Sequence, residues 1–406
     1  MKITPEKESK VKLWIRGLLP LLLLGLLLLM VVQFGPLGVL NSTIVPIENI
    51  FIEKVIFSVD HITVDIFNDG PEPVTIAQVL INDAYWQFEM SPSKTLEPLE
   101  DGKIEIYYPW LEGDFEKISL ISRNGIIFEK EVEIASITPV FNRPYVTSFV
   151  LLGIYVGVIP VFLGLLWLPF LRNLRRKWYD FLLALTIGIL VFLGFDAIEE
   201  AFKLLNEIPQ AYNGAGIFVI GFLIITLTLA AINHKRKLFI KNDKEGKNRV
   251  DLKPLIPGYL VALGIGLHNL GEGLAMGSAY AIGEIALGSL LVIGFMIHNV
   301  TEGVAILAPL LRITKLVKNI YTHIILMGIL AGVPTIFGTL IGGFSYSPTL
   351  ALLFLAIGAG AILYVAFDIL NHKANGQWMS LCTITNTLGF LTGLLIMYAT
   401  GFLILG

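Results

Sequence analysis

The chain is predicted to be an all-α polytopic membrane protein. The expected architecture is an eight-helix bundle, preceded by one extra N-terminal transmembrane helix and a small extracytoplasmic domain of β-sandwich type. Three observations predict this. Apolar runs of about 20 residues, the length that spans a bilayer as a helix, recur along the sequence. Of its 406 residues 55% are hydrophobic and 15% charged, with a mean hydropathy of +0.75, whereas an ordinary soluble domain carries about 25% charged residues. One stretch, 41–144, departs from the apolar pattern and reads as short strands separated by turns. The net charge of −3 gives no footprint for nucleic acid, which requires a basic surface. The single cysteine, Cys382, excludes an internal disulfide and a cysteine-rich metal site. It lies in an apolar stretch and is expected as a small buried hydrophobe.

Residues 1–40 are expected as a cytosolic N-terminus and an anchor helix over 13–40. Lys2, Lys7, Lys10, Lys12 and Arg16 come first. The apolar run that follows is long for a signal peptide and shows no small-residue cleavage site. Residues 41–144 form the second unit. Strands are predicted at 62–67, 74–81, 103–108, 118–122 and 126–134, with turns at Asn68-Asp69-Gly70-Pro71 and Asn124-Gly125. Short strands at this spacing suggest a small sandwich, with a role in structure, docking or dimerisation. Asn41-Ser42-Thr43 matches a glycosylation acceptor.

Residues 145–406 are expected to hold eight further spans, at 146–171, 181–205, 215–232, 255–281, 285–311, 320–344, 349–370 and 378–405. Lys and Arg in short loops mark the cytosolic side. The clusters Arg172/Arg175/Arg176/Lys177, 235–253 and Arg312/Lys315/Lys318 all fall inside if the N-terminus is inside. The turns at 206–213, 283 and 345–348 are nearly free of positive charge. This frame puts residues 41–144 and the C-terminus outside a multi-pass cell-membrane protein. The basic loop 234–253 has one histidine, so it suits an anionic inner leaflet better than metal sensing.

Within two successive spans the same polar signature occurs: His268-Asn269-Leu270-Gly271-Glu272-Gly273 and His298-Asn299-Val300-Thr301-Glu302-Gly303. A helix turns about 100° per residue, so His and Glu four apart share a face with the Asn beside them. An ionisable side chain at mid-bilayer costs roughly 2.5–3.5 kcal/mol on insertion scales. Hydrogen bonding across helices accounts for one such residue; two copies of the trio at similar depth call for a common partner. His268 lies roughly 20 Å along its helix, at 1.5 Å per residue, and the short turn at 282–284 makes the two helices antiparallel neighbours. Imidazole with carboxylate oxygen suits Zn²⁺, Fe²⁺ or Mn²⁺ better than Ca²⁺ or Cu⁺. Binding requires neutral imidazole and ionised carboxylate, so affinity is expected to fall at acidic pH. Glycines at 264, 266, 271, 273 and 277, and at 288, 294 and 303, allow close helix approach; a kink at Gly271 or Gly273 is a second reading.

On these two motifs the sequence resembles the ZIP (ZRT/IRT-like) family of divalent metal transporters, and within it the GufA-like branch. The resemblance runs from about Val146 to Gly406 and places the motifs on the family's fourth and fifth helices. It implies a binuclear centre, with His268, Glu272 and Glu302 holding one ion and His298 as an additional ligand. Asn269 and Asn299, with the two Glu carboxylates bridging, would contribute to the second ion. The family's usual Pro before each motif Glu is replaced by Gly271 and Thr301. Related sequences often carry a second-site Glu before the sixth-helix proline; here Val333 precedes Pro334, leaving that site one ligand fewer. A homodimer is expected.

Asp196, Glu199 and Glu200 lie towards the outer end of their span, where the family carries acidic residues near the outer entrance. Asp368 and His372, four apart near the inner end of theirs, would form an exit station. His323 has no acidic neighbour and reads as a packing residue. The expected function is transport of Zn²⁺, or of iron, manganese or cadmium, from outside into the cytosol through the midplane site by alternating access. No nucleotide-binding motif is present, so transport would be passive or ion-coupled. Two alternatives are an intramembrane zinc metalloenzyme and a membrane-anchored external binding module. The first lacks His-Glu-x-x-His, since Asn takes the second motif position.

Overall fold

The computed structural model describes residues 18–27, 29–30, 47–242, 255–281, 285–313, 317, 319–345, 347–374 and 376–405. Side chains of 235–242, 285–290, 380 and 401–405 fall outside that description. So do the glycosylation acceptor, the turn at 282–284, the loop from 243 to 254, Lys315 and Lys318. Of the predicted anchor, Leu18–Leu27 is a short apolar helix (α1), a separate unit whose leucines are exposed.

Nine strands follow: β1 (Ile50–Ser58), β2 (His61–Asn68), β3 (Val74–Ile81), β4 (Ala84–Trp86), β5 (Phe88–Ser91), β6 (Thr95–Leu96), β7 (Asp101–Tyr107), β8 (Glu116–Ser122) and β9 (Ile127–Val132). They form two antiparallel sheets, ordered β1-β2-β7-β5 and β4-β3-β8-β9, with β6 paired to β3. Both sheets contribute to one core, in which Ile62, Val64 and Ile104 meet Ile76, Ile118 and Leu120. Alternating apolar residues on each strand make that shared face. β1 was not among the predicted strands, for a physical reason. Its register shifts between Ile52 and Lys54. The buried residues therefore change phase, from Ile50 and Ile52 to Val55 and Phe57, and the bulge hides the period of two. The predicted turns at 68–71 and 124–125 form. Asn68 is fully buried, its Nδ2 donating to the carbonyls of Glu72 and Leu96 at 2.9 and 3.0 Å. Gly125 has φ +82°, in the left-handed region that glycine enters without steric cost.

The helical part begins at α2 (Arg143–Gly153), whose first turn is capped by Asn142 Oδ1 accepting from Tyr145 N at 3.0 Å. The predicted span 146–171 is not one uniform helix. A π-helical turn (Ile154–Val158) leads into α3 (Ile159–Leu165) and α4 (Leu168–Leu171), with Pro160 and Pro169 in the early turns of the last two. Then come α5 (Arg176–Leu204), α6 (Gly214–Asn242), α7 (Ile256–Ala281), α8 (Ile285–Leu307), α9 (Ile320–Phe344), α10 (Pro348–Ala374) and α11 (Ile384–Leu405). Six described segments are long and apolar enough to cross a membrane: Arg143–Leu171, Arg176–Glu207, Gln210–His234, Leu291–Leu310, Ile320–Phe344 and Pro348–Ala374. The helix α7 also covers its predicted segment but is less apolar, since it carries a motif and is buried along most of its length. No break interrupts it at Gly271 or Gly273. Cys382 corrects the sequence reading: it is exposed, because the apolar run from 378 starts as a 3-10 turn and α11 begins only at Ile384.

The helices sort into two groups. In one, α2 packs against α9, α3 against α8 and α9, and α7 against α8 and α9; in the other, α5 packs against α10 and α11, and α10 also against α6. The groups meet chiefly where α7 lies against α10. The β-sheets dock on the second group. Asp69 accepts from the backbone N–H groups of Gln210 and Ala211, both at 2.8 Å, in the turn between α5 and α6. Phe67 contacts Tyr212 with ring centroids 5.1 Å apart, and Lys130 pairs with Glu207 at 3.1 Å. Replacing a capping carboxylate by Ala costs about 1 kcal/mol. Asp69→Ala is therefore expected to speed amide exchange at Gln210 and Ala211 by roughly fivefold, measured by hydrogen–deuterium exchange, with the core amides of β2 and β3 unchanged.

Candidate metal centre

The motifs on α7 and α8 converge. One ligating atom from each of His268, Glu272, His298 and Glu302 lies within 4.8 Å of all the others. All four residues are buried, at 0–4% exposure. Glu272 Oε1 stands between the imidazoles, 2.5 Å from His298 Nε2 and 3.1 Å from His268 Nε2. Both carboxylate oxygens of Glu302 are without a hydrogen-bond partner, as are Glu272 Oε2 and the Oδ1 atoms of Asn269 and Asn299. Buried polar atoms are nearly always paired, so a cluster of orphaned oxygens defines a place built for something else.

The asparagines are held by the neighbouring helices. Asn299 Nδ2 donates to Val156 O at 2.8 Å. In an unbroken α-helix that carbonyl would accept from residue 160, but Pro160 has no N–H. Asn269 Nδ2 donates to Ala331 O at 3.2 Å, one turn before Pro334 within α9. Each asparagine thus fixes its amide on a proline-disturbed stretch of the next helix and leaves its carbonyl oxygen free.

The chemistry of the set is clear. Four donors around a Zn²⁺-sized ion at 2.0–2.2 Å would stand about 3.4 Å apart; the contacts of Glu272 Oε1 with the two imidazoles, at 2.5 and 3.1 Å, would open and the wider separations, up to 4.8 Å, would close. Two carboxylates balance a divalent charge, which removes the penalty of two anions in a low-dielectric interior.

The other predicted residues fall at different places. Glu199 and Glu200 both pair with Lys203, at 3.2 and 3.5 Å. Asp196 is exposed and close enough to His268, His298 and Glu272 to interact electrostatically with them. Asp368 is buried, and its Oδ1 accepts from Asn233 Nδ2 at 2.7 Å. His372 Nδ1 lies 2.8 Å from Asp368 O and 3.4 Å from Asp368 Oδ1. Asp368 and His372 line a cavity of about 580 Å³ together with Asp180, Arg312 and Lys373. Asn233 was missed in the sequence because the predicted span ended at 232, one residue short of it. His323 packs as expected, its Nδ1 2.9 Å from Tyr259 OH.

The fold and the site together define a helical membrane protein with a buried His/Glu cluster suited to a divalent cation. Residues 232–401, which contain both motifs, match the family model described as ZIP Zinc transporter. Its members are transporters, not enzymes, and the match with the buried cluster supports divalent metal transport. No curated protein matches the chain.

Proposed function

We propose that the protein carries Zn²⁺, or a similar first-row divalent cation, from outside into the cytosol. The observation that carries this reading is the set of four ligand atoms within 4.8 Å of one another, from His268, Glu272, His298 and Glu302. In this reading residues 1–40 are an anchor, 41–144 an extracytoplasmic domain and 145–406 the transport domain. Asp196 and its neighbours collect the hydrated ion, which sheds water as the buried ligands replace it. Asn269 and Asn299 present free carbonyl oxygens to the same centre and would serve a second ion; Val333, in place of a carboxylate, favours one tightly held ion. Release follows towards Asp368 and His372.

Alternating access is supported by the packing. Within each helix group, glycines sit against backbone. A Cβ on Gly338 of α9 would come within 2.8 Å of Leu274 N, and one on Gly393 of α11 within 3.0 Å of Ile189 N. Between the groups the contacts are mixed: a Cβ on Gly264 of α7 would lie 3.4 Å from Val365, an ordinary contact, whereas one on Gly358 of α10 would come within 3.1 Å of His268 Cα. Two helix groups, each packed tightly within itself, can rock around a fixed site.

The test is metal uptake into proteoliposomes. His268→Ala and Glu272→Ala are each expected to lower uptake by at least about 100-fold, the loss typical of a missing metal ligand or its support. Wild-type rates in both, with wild-type elution profiles, would falsify the reading.

A further inference from the structure

At the end of the bundle that carries the basic linker 172–177, a second cavity lies apart from the metal centre. It has a volume of about 390 Å³ and is lined by three arginines, Arg172, Arg176 and Arg312, over an apolar wall of Leu171, Leu174 and Leu311. The ring of Tyr179 closes one side, with the Arg312 guanidinium 4.0 Å above its centroid. No carboxylate lines it. The larger cavity nearby also touches Arg176 and Arg312, but there Asp180 and Asp368 balance them.

The three arginines come from two distant parts of the chain, the α4–α5 linker with the start of α5, and the segment after α8. Two have neutralising or polar partners elsewhere: Arg312 Nη2 is 3.6 Å from Asp180 Oδ1, and Arg172 Nη1 donates to Tyr321 OH at 3.2 Å. Arg176 has no ion-pair partner among the described residues. It opens α5, whose first turn contains no acidic residue and whose N-cap makes no side-chain bond. A helix N-terminus beside converging guanidiniums attracts a phosphate, through free N–H groups and bidentate contacts. Close in sequence to the lining residues, Leu166, Trp167, Phe170 and Trp178 are all exposed. Aromatic side chains of this kind settle at the headgroup level of a bilayer, with apolar neighbours for acyl chains.

We propose that this pocket binds the phosphate of an anionic phospholipid headgroup. A basic pocket between membrane helices is the arrangement such headgroups select, and the apolar wall accounts for a lipid better than for a free ion. The site does not depend on the metal reading.

Purified full-length protein is offered equal amounts of phosphatidylcholine and phosphatidylglycerol in detergent, and retained lipid is measured by native mass spectrometry. Wild type is expected to retain phosphatidylglycerol by about tenfold, given the stabilisation each basic residue supplies. R172Q/R176Q should lose that preference. R175Q/K177Q removes two exposed charges from the same linker but outside this cavity, and should keep it. Equal loss in both pairs, or full retention in R172Q/R176Q, overturns the pocket. Displacement of phosphatidylglycerol by inorganic phosphate alone would assign the arginines to a free anion and overturn the lipid. If R172Q/R176Q fails to fold, R176Q alone, whose guanidinium leaves no ion pair broken, decides on the same criteria.

Discussion

Glu302→Gln is expected to abolish metal binding and transport while leaving the metal-free protein at least as stable as wild type. The two halves of this result have one cause. Glu302 is fully buried and neither of its oxygens has a hydrogen-bond partner. A carboxylate in that position is held against its solvation, and a group of this kind destabilises the fold by several kcal/mol when ionised. The amide has the same shape and no charge, so the replacement removes that penalty. Metal binding moves the other way. The site loses one of the two negative charges that balance a divalent ion, and a ligand oxygen becomes a weaker one. Thermal unfolding separates the effects. With chelator present, the variant should unfold at or above the wild-type temperature. With Zn²⁺ at about 100 times its dissociation constant, wild type should gain about 2.7 kcal/mol and the variant nothing measurable. A variant that unfolds earlier in chelator would mean that Glu302 supports the fold through a contact of its own.

That centre was legible in the sequence because it violates its surroundings. A His, an Asn and a Glu repeated at one spacing inside apolar helices have no bland explanation, and α7 and α8 bring them together at short range. The β-rich unit was legible where alternation held, as in β2 and β3, and illegible in β1, where a bulge changes its phase. Other features depend on contacts between distant segments, and no local pattern announces them. The Asp69 bridge to the α5–α6 turn joins residues about 140 positions apart. The link between Asn299 and the Val156 carbonyl joins the motif helix to a segment about 140 residues earlier, where no local pattern pointed to a partner. Asn233 and Cys382 show the limit set by helix ends: α6 runs past the predicted boundary at 232 and α11 starts later than its apolar run. A shift of a few residues there changes which side chains meet the bundle and which meet solvent.

The largest structural effect is expected from a methyl group at the α7–α9 seam, and its contrast with the α7–α10 seam tests the two-body reading. A Cβ added at Gly273 would meet the carbonyl of Thr335 well inside contact distance and would come within 3.0 Å of Gly338 Cα and Thr339 N. All three are backbone atoms of a packed helix, so no rotamer change relieves them. Over-packing usually costs 1–3 kcal/mol, and more where the neighbours cannot move; Gly273→Ala is expected at the upper end, about 3 kcal/mol, with much reduced yield of folded protein. Gly271 lies two residues away on the face towards α10. A Cβ there meets Leu355 Cδ2 at 3.1 Å, the mobile end of a flexible side chain. Gly271→Ala should therefore fold with a loss under about 1 kcal/mol. Its consequence should appear in transport, because the added methyl sits in the plane along which the groups must slide. The paired measurement is unfolding temperature against uptake rate. Gly273→Ala should lose stability first, and Gly271→Ala should lose rate at near-normal stability. If Gly271→Ala transports at the wild-type rate, the α7–α10 seam is not the surface that moves.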